Sequence, residues 1–170
     1  MDLREAVREN HQAAEKTRWS QLMISGNLTS EQYAAMLYNM LPIYTELECT
    51  GLITKPEVLR VQLLQDDLAS IEIGSKRGLA LSTVYYIRYL ETLSDRDRWA
   101  HIYVHYLGNM YGGQMIGRRL PGQHTHLLFD DLSGCIAYVR ENLQDVSADE
   151  ANQAFIWTMK VYDELYNLFG

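Results

Sequence analysis

Two segments carry residues whose types and spacing could do chemistry. The first is Glu9-Asn10-His11-Gln12-Ala13-Ala14-Glu15. His11 and Glu15 are four apart, so on a helix they share a face and the carboxylate can support the imidazole directly or through water. Ala14 is small and keeps that face open. A neutral imidazole is the standard axial ligand for heme iron. A single histidine on a helix is nevertheless more often satisfied or solvated than ligating, so His11 by itself leaves both readings open. The second segment is Tyr103-Val104-His105-Tyr106-Leu107-Gly108-Asn109-Met110-Tyr111-Gly112-Gly113-Gln114-Met115-Ile116-Gly117. Each glycine inside a helix costs about 0.5–1 kcal/mol relative to alanine. Gly108 and Gly112 share a face without side chains, against which something flat can lie. The helix can also bend there. Close helix–helix packing is the competing explanation. A phosphate-binding loop is excluded, because no strand precedes the glycines and no GKS/T follows.

Other candidate groups are weaker. His124 and His126 flank one residue, but two loop histidines without a third ligand are usually exposed. His101 and His105 are four apart; His105 is expected on the outer surface or beside an anionic ligand. Tyr85, Tyr86 and Tyr89 read as a packing stripe with hydroxyls at the rim. Cys49 and Cys135 read as small buried fillers. No set of Glu, Asp and His at the spacing of a di-iron site is evident.

These groups must be positioned by helices. Apolar residues recur at helical spacing, without sustained strand alternation. A first helix is predicted from Asp2 to about Thr17, and Ser25-Gly26-Asn27 reads as a turn. Thr29 or Ser30 caps a second helix carrying Tyr33, Met36, Leu37, Met40, Leu41, Tyr44 and Leu47, with Pro42 inside it as a kink site. Lys55-Pro56-Glu57 opens a third helix through Leu68. Gly74 to Gly78 reads as a loop. Further helices are predicted from Ser82 through Leu90, from Asp97 to about Leu120, from Asp131 to Leu143 and from Ala148 to Leu168, with Gln123 to Phe129 irregular. The class is all-α: one domain over residues 1–170, a multi-helix bundle of about seven or eight helices.

Composition narrows the function. The chain has 170 residues, 15 Lys+Arg and 22 Asp+Glu, for a net charge of −7. That balance argues against a general nucleic-acid binder. The two cysteines are too few and too far apart for a disulfide framework. No signal peptide, membrane span or lipid anchor is evident, so a soluble, cytoplasmic monomer is expected.

The sequence resembles the biliverdin-producing heme oxygenase family over essentially its whole length. His11, Ala14 and Glu15 carry the H-x-x-A-E pattern of the family's proximal helix. Leu28 to Tyr33 and Ile43 to Glu48 look like its second helix, and Leu63 to Leu68 is similar to its next stretch. Tyr106 to Gln114 resembles the distal motif YLGDLSGGQ. Ala154-Phe155 and Tyr162 to Leu165 are similar to the last helix. The resemblance implies heme b, as both substrate and cofactor, between the first helix and the glycine-rich helix, with His11 as the iron ligand supported by Glu15. Gly108 and Gly112 would set bare backbone against the distal face. Arg4 and Tyr103 would meet the propionates, with Arg140 a further basic candidate; Arg118 and Arg119 read as surface charges. Trp19, Met23 and Phe155 would line an apolar pocket. Tyr44 would face the distal water network. The implied reaction opens heme with O2 and electrons, giving biliverdin, iron and CO. The electrons would come from a ferredoxin or a reductase.

The sequence departs from that pattern at two positions. The family's distal aspartate is Asn109, and its following serine is Tyr111. An amide donates and accepts hydrogen bonds but carries no negative charge. Asn109 with Tyr44 or Tyr111 would anchor the water chain and preserve cleavage. The alternative is impaired turnover: a heme-binding carrier, store or sensor on the same fold.

Overall fold

A computed structural model describes residues 2–71 and 78–170. Its architecture follows from where helices can start and stop. Asp2 accepts the Arg4 amide hydrogen at 3.2 Å and opens α1 (Leu3–Ala6). α2 (Arg8–Glu15) follows after Val7, which buries its side chain at non-helical φ/ψ. The single helix expected from Asp2 to Thr17 is thus broken at Val7. α3 (Arg18–Ser25) occupies a stretch for which the sequence predicts no helix. The Thr17 hydroxyl accepts the Ser20 amide hydrogen at 3.2 Å, and Gly26 ends the helix at φ +75°, a left-handed position that favours glycine. α4 (Ser30–Glu48) starts with a capping box between Thr29 and Gln32 and runs through Pro42 without a break.

The helix expected from Pro56 through Leu68 is instead a 3-10 turn (Pro56–Val58) followed by α5 (Val61–Ala69). Arg60 explains the interruption. It is buried, and its guanidinium donates to the carbonyls of Glu57, Val58, Leu59, His126 and Leu128. It also lies 3.7 Å over the Phe129 ring. Enclosing a cation requires such partners, and a regular helix would have consumed the local carbonyls.

α6 (Leu81–Glu91) and α7 (Asp95–Ile102) follow. The helix expected from Asp97 to Leu120 runs as α7, a π turn (Tyr103–Leu107) and α8 (Gly108–Gly117). A 3-10 turn (Thr125–Leu127) lies within the segment expected to be irregular. α9 (Leu132–Glu141) and α10 (Ala148–Phe169) complete the chain. Of the expected loop from Gly74 to Gly78, only Gly78 is among the described residues, and it is non-helical.

The bundle is all-α, with no strand among the described residues. α10 packs against α2, α3, α6 and α7. The main core contains Trp19, Tyr33, Tyr86 and Tyr106, all fully buried. A smaller core of Val7, Ala14, Ala100, Ala151 and Phe155 joins the N-terminal helices to α7 and α10.

Candidate functional site

The glycines of α8 divide into two pairs with different surroundings. A Cβ added to Gly108 would meet nothing within 4 Å, and one on Gly112 would meet only Ile116 Cδ1 at 4.0 Å. A Cβ on Gly113 would lie 3.1 Å from Leu127 Cβ, and one on Gly117 would lie 2.6 Å from His124 Cδ2. Bare backbone and close packing, alternatives in the sequence, both occur on one helix. Gly108, Tyr111, Gly112 and Met115 are spaced i, i+3, i+4, i+7 and form one face. Tyr111 is 56 % exposed and Met115 is 58 % exposed. The glycine helix thus presents an open, largely apolar face beside the π turn. π segments of this kind are often found at functional sites.

Polar groups line the edge of that face. The Asn109 amide donates to the Tyr44 hydroxyl at 2.8 Å. Tyr44 in turn reaches the His105 carbonyl at 3.4 Å, a long and weak contact. Burial pushes the Tyr44 phenol well above its ordinary pKa, so the group stays a neutral donor.

On α2, His11 lies on the surface with Nε2 3.6 Å from Glu15 Oε1, too long for a hydrogen bond. Its ring meets Phe155 edge-on, with centroids 5.7 Å apart. Tyr103 is half-buried. Its phenol is raised first by burial and then by Asp2, while Arg140 and Arg4 oppose the rise; Tyr111 also contributes. The π turn packs against α8 and α9, and Leu3 of α1 and Tyr103 pack against the same small core. Arg140 donates to the Tyr111 hydroxyl and lies 5.7 Å from the centre of that ring. The structure thus brings Asn109 to Tyr44, Phe155 to His11 and Arg140 to Tyr111. Trp19 and Met23 sit in the main core, apart from the cluster that contains Phe155. The Trp19 indole N–H is buried without a partner.

The heme oxygenase family model matches residues 1–127. The chain belongs to the heme oxygenase family. Heme oxygenase 1 of Synechocystis sp. is 25% identical over 199 aligned positions, covering 96% of this chain and 82% of that protein. The structure of Synechocystis heme oxygenase-1 in complex with heme superimposes with a TM-score of 0.83 at 23% identity, covering 98% of this chain and 91% of the other. Synechocystis heme oxygenase-2, in complex with heme and NO, gives 0.83 at 23% identity over 98% and 84% of the two chains. Heme oxygenase from Leptospira interrogans gives 0.80 at 25% identity over 95% and 97%.

Several residues of this heme oxygenase family member depart from expectation. His105 is not on the outer surface: it is half-buried, with Nε2 2.8 Å from the Tyr86 hydroxyl. That hydroxyl is not at the rim either; Tyr86 is fully buried and also lies 2.6 Å from His101 Nδ1. Tyr89 keeps its hydroxyl near the edge and donates to Glu150 at 2.6 Å, while Tyr85 is exposed. His126 is buried, not exposed, with Nδ1 2.7 Å from Asp67 Oδ2. Cys135 is buried as expected, but Cys49 is exposed beyond the end of α4. The i, i+4 spacing of His101 and His105 was a signal for a shared partner. The tyrosine they share comes from another helix and could not be read locally. Among the described residues, no three His, Cys, Asp or Glu side chains assemble as a metal-ligating group, and no helix is long and apolar enough to cross a membrane.

Proposed function

We propose that this protein binds heme against the open face of α8 and cleaves it to biliverdin, iron and CO, using O2 and electrons from a ferredoxin or a reductase. The observation that carries the proposal is the open space at Gly108 and Gly112 on an exposed face. Glycines with no packing partner cost helix stability, and a flat ligand seated on that bare face would offset the cost. The comparison proteins crystallised with heme support the same ligand.

The residues fit that ligand. His11 supplies the imidazole, and Phe155 holds the ring by its edge. Glu15 is near enough to orient it once the pair is desolvated. Gly108 and Gly112 let a flat ring approach main chain. Arg4, Arg140, Tyr103 and Tyr111 supply cations and hydroxyls for two carboxylates at the rim. Bound heme supplies the iron that activates O2. The chain's part is to bind, to orient and to hold protons. Asn109 and Tyr44 do the last, because a fixed amide and a neutral phenol order water without adding charge.

The test is the absorption spectrum of ferric heme added to the purified chain. A histidine-ligated spectrum is expected, and it is lost in His11→Ala. An unchanged spectrum in that variant overturns the site. A second reading, heme binding without turnover, is favoured by the uncharged amide at position 109. Anaerobic loading followed by O2 and a ferredoxin system separates the two, because only cleavage yields biliverdin on chromatography.

A further inference from the structure

A chain of titratable side chains runs from Glu150 through His101 and Tyr86 to His105. The Tyr86 hydroxyl lies 2.6 Å from His101 Nδ1 and 2.8 Å from His105 Nε2, and His101 Nε2 lies 2.8 Å from Glu150 Oε1. His101 and Tyr86 are fully enclosed, whereas the Glu150 side chain is 16% exposed and reaches water. Donor counting settles the hydrogens. A carboxylate only accepts, so His101 carries its hydrogen on Nε2. Neutral His101 then has a bare Nδ1, which takes the one Tyr86 hydrogen. The Tyr86 oxygen must accept from His105 Nε2–H, leaving His105 Nδ1 bare. The His105 ring centroid is 5.9 Å from that of Tyr86 and 5.7 Å from that of Tyr44, the partner of Asn109.

We propose, building on heme binding at α8, that Glu150, His101, Tyr86 and His105 exchange one proton as a single unit behind the Asn109–Tyr44 pair, with Glu150 the positioning residue that sets the His105 tautomer. A proton arriving at His105 Nδ1 sends the Nε2 hydrogen to the Tyr86 oxygen. The Tyr86 hydrogen passes to His101 Nδ1, and the His101 Nε2 hydrogen passes to Glu150. One proton is gained, it resides on the carboxyl, and neither imidazole becomes charged. Release reverses every transfer. Neither ring could hold the proton by itself, since burial lowers both imidazoles to about 3. Burial instead raises the Glu150 carboxyl, so the acid is the favoured resting place. The surroundings are compatible. Asp97 raises His101 and Arg98 opposes it, Tyr89 donates to Glu150, and Trp157 stacks on Tyr86 at 5.6 Å.

The test uses the full chain with isotopically labelled histidine. NMR is followed from about pH 8 to about pH 4. The expected result is neutral His101 and His105 whose nitrogen signals move together toward the Nδ1–H form as Glu150 takes its proton. The step disappears in Glu150→Gln, and in Tyr86→Phe the two rings respond separately. A conventional imidazolium titration of either residue near about pH 6.5 overturns the proposal. So do signals that stay fixed while Glu150 titrates. With ferric heme loaded, Glu150→Gln is expected to move the pH midpoint of the optical spectrum by about one unit. An unchanged midpoint overturns the link to the site. If the chain does not take up heme at all, the heme-binding reading falls, and the heme-free NMR result still decides whether the unit exists.

Discussion

Asn109 has two donor hydrogens and one acceptor oxygen, and the structure commits one of those donors to Tyr44. An aspartate there would have no hydrogen to give, so Tyr44 would have to turn its own hydrogen toward the carboxylate and lose the His105 carbonyl. The amide therefore changes the direction of the first hydrogen bond at the α8 face as well as its charge. Asn109→Leu removes the anchor while keeping the size of the side chain. About 1 kcal/mol of lost hydrogen bonding corresponds to roughly a fivefold slower conversion. Heme affinity should stay close to that of the parent. Single-turnover conversion to biliverdin, scored by chromatography, measures this. A leucine variant that converts heme at the parental rate would leave Asn109 without a role. Asn109→Asp should retain conversion, because the carboxylate still accepts from water and from Tyr44.

The glycines of α8 make opposite predictions on one element. At Gly108 a methyl group enters open space, so Gly108→Ala should stabilise the heme-free chain by about 0.5–1 kcal/mol through helix propensity. The same methyl should weaken heme binding by filling the surface the ligand needs. At Gly113 the methyl meets Leu127 at 3.1 Å, so Gly113→Ala should destabilise by about 1–3 kcal/mol. Thermal denaturation with and without heme checks both, and equal shifts in the two variants would show that the glycine pairs do not differ. The motif around Gly108 was legible in the sequence because its residues are consecutive, and so was His11 with Glu15. The capped ends of α4 and α10 were legible for the same reason. α3 had local signals at Thr17 and Gly26, but it is only eight residues long and only two residues separate it from α2, so the pair reads as one continuous stretch. The π turn and the break at Arg60 were not legible. Arg60 is shaped by carbonyls of His126 and Leu128, more than sixty residues away. The burial of His126 is hidden from the sequence for a similar reason: its partner Asp67 lies on α5, and proximity in space leaves no trace in the chain order.

At the scale of the molecule, the buried imidazoles make stability depend on pH. His101 and His105 are lowered by burial to about 3 in the folded chain, against about 6.5 for an unfolded imidazole. Between those limits the unfolded chain binds protons that the folded chain refuses, so stability is complete above about pH 6.5 and is lost as pH falls. Burial lowers His126 in the same direction. Burial by itself would raise Asp67, but hydrogen bonds from His126 and Thr125 outweigh it and hold the carboxyl below its usual range. Its contribution is therefore present above the usual carboxylate pKa and disappears only at more acid pH. Glu150 is raised and works against the slope. Each neutral imidazole costs up to about 1.4 kcal/mol per pH unit below the unfolded pKa. Lowering the pH from about 7 to about 5 should thus remove about 2–4 kcal/mol, a large share of the 5–15 kcal/mol typical of a domain. Denaturant midpoints measured across that range test the slope. A flat profile would mean that the folded chain takes up as many protons as the unfolded one over that range, which requires charged imidazoles in the fold in addition to a protonated Glu150.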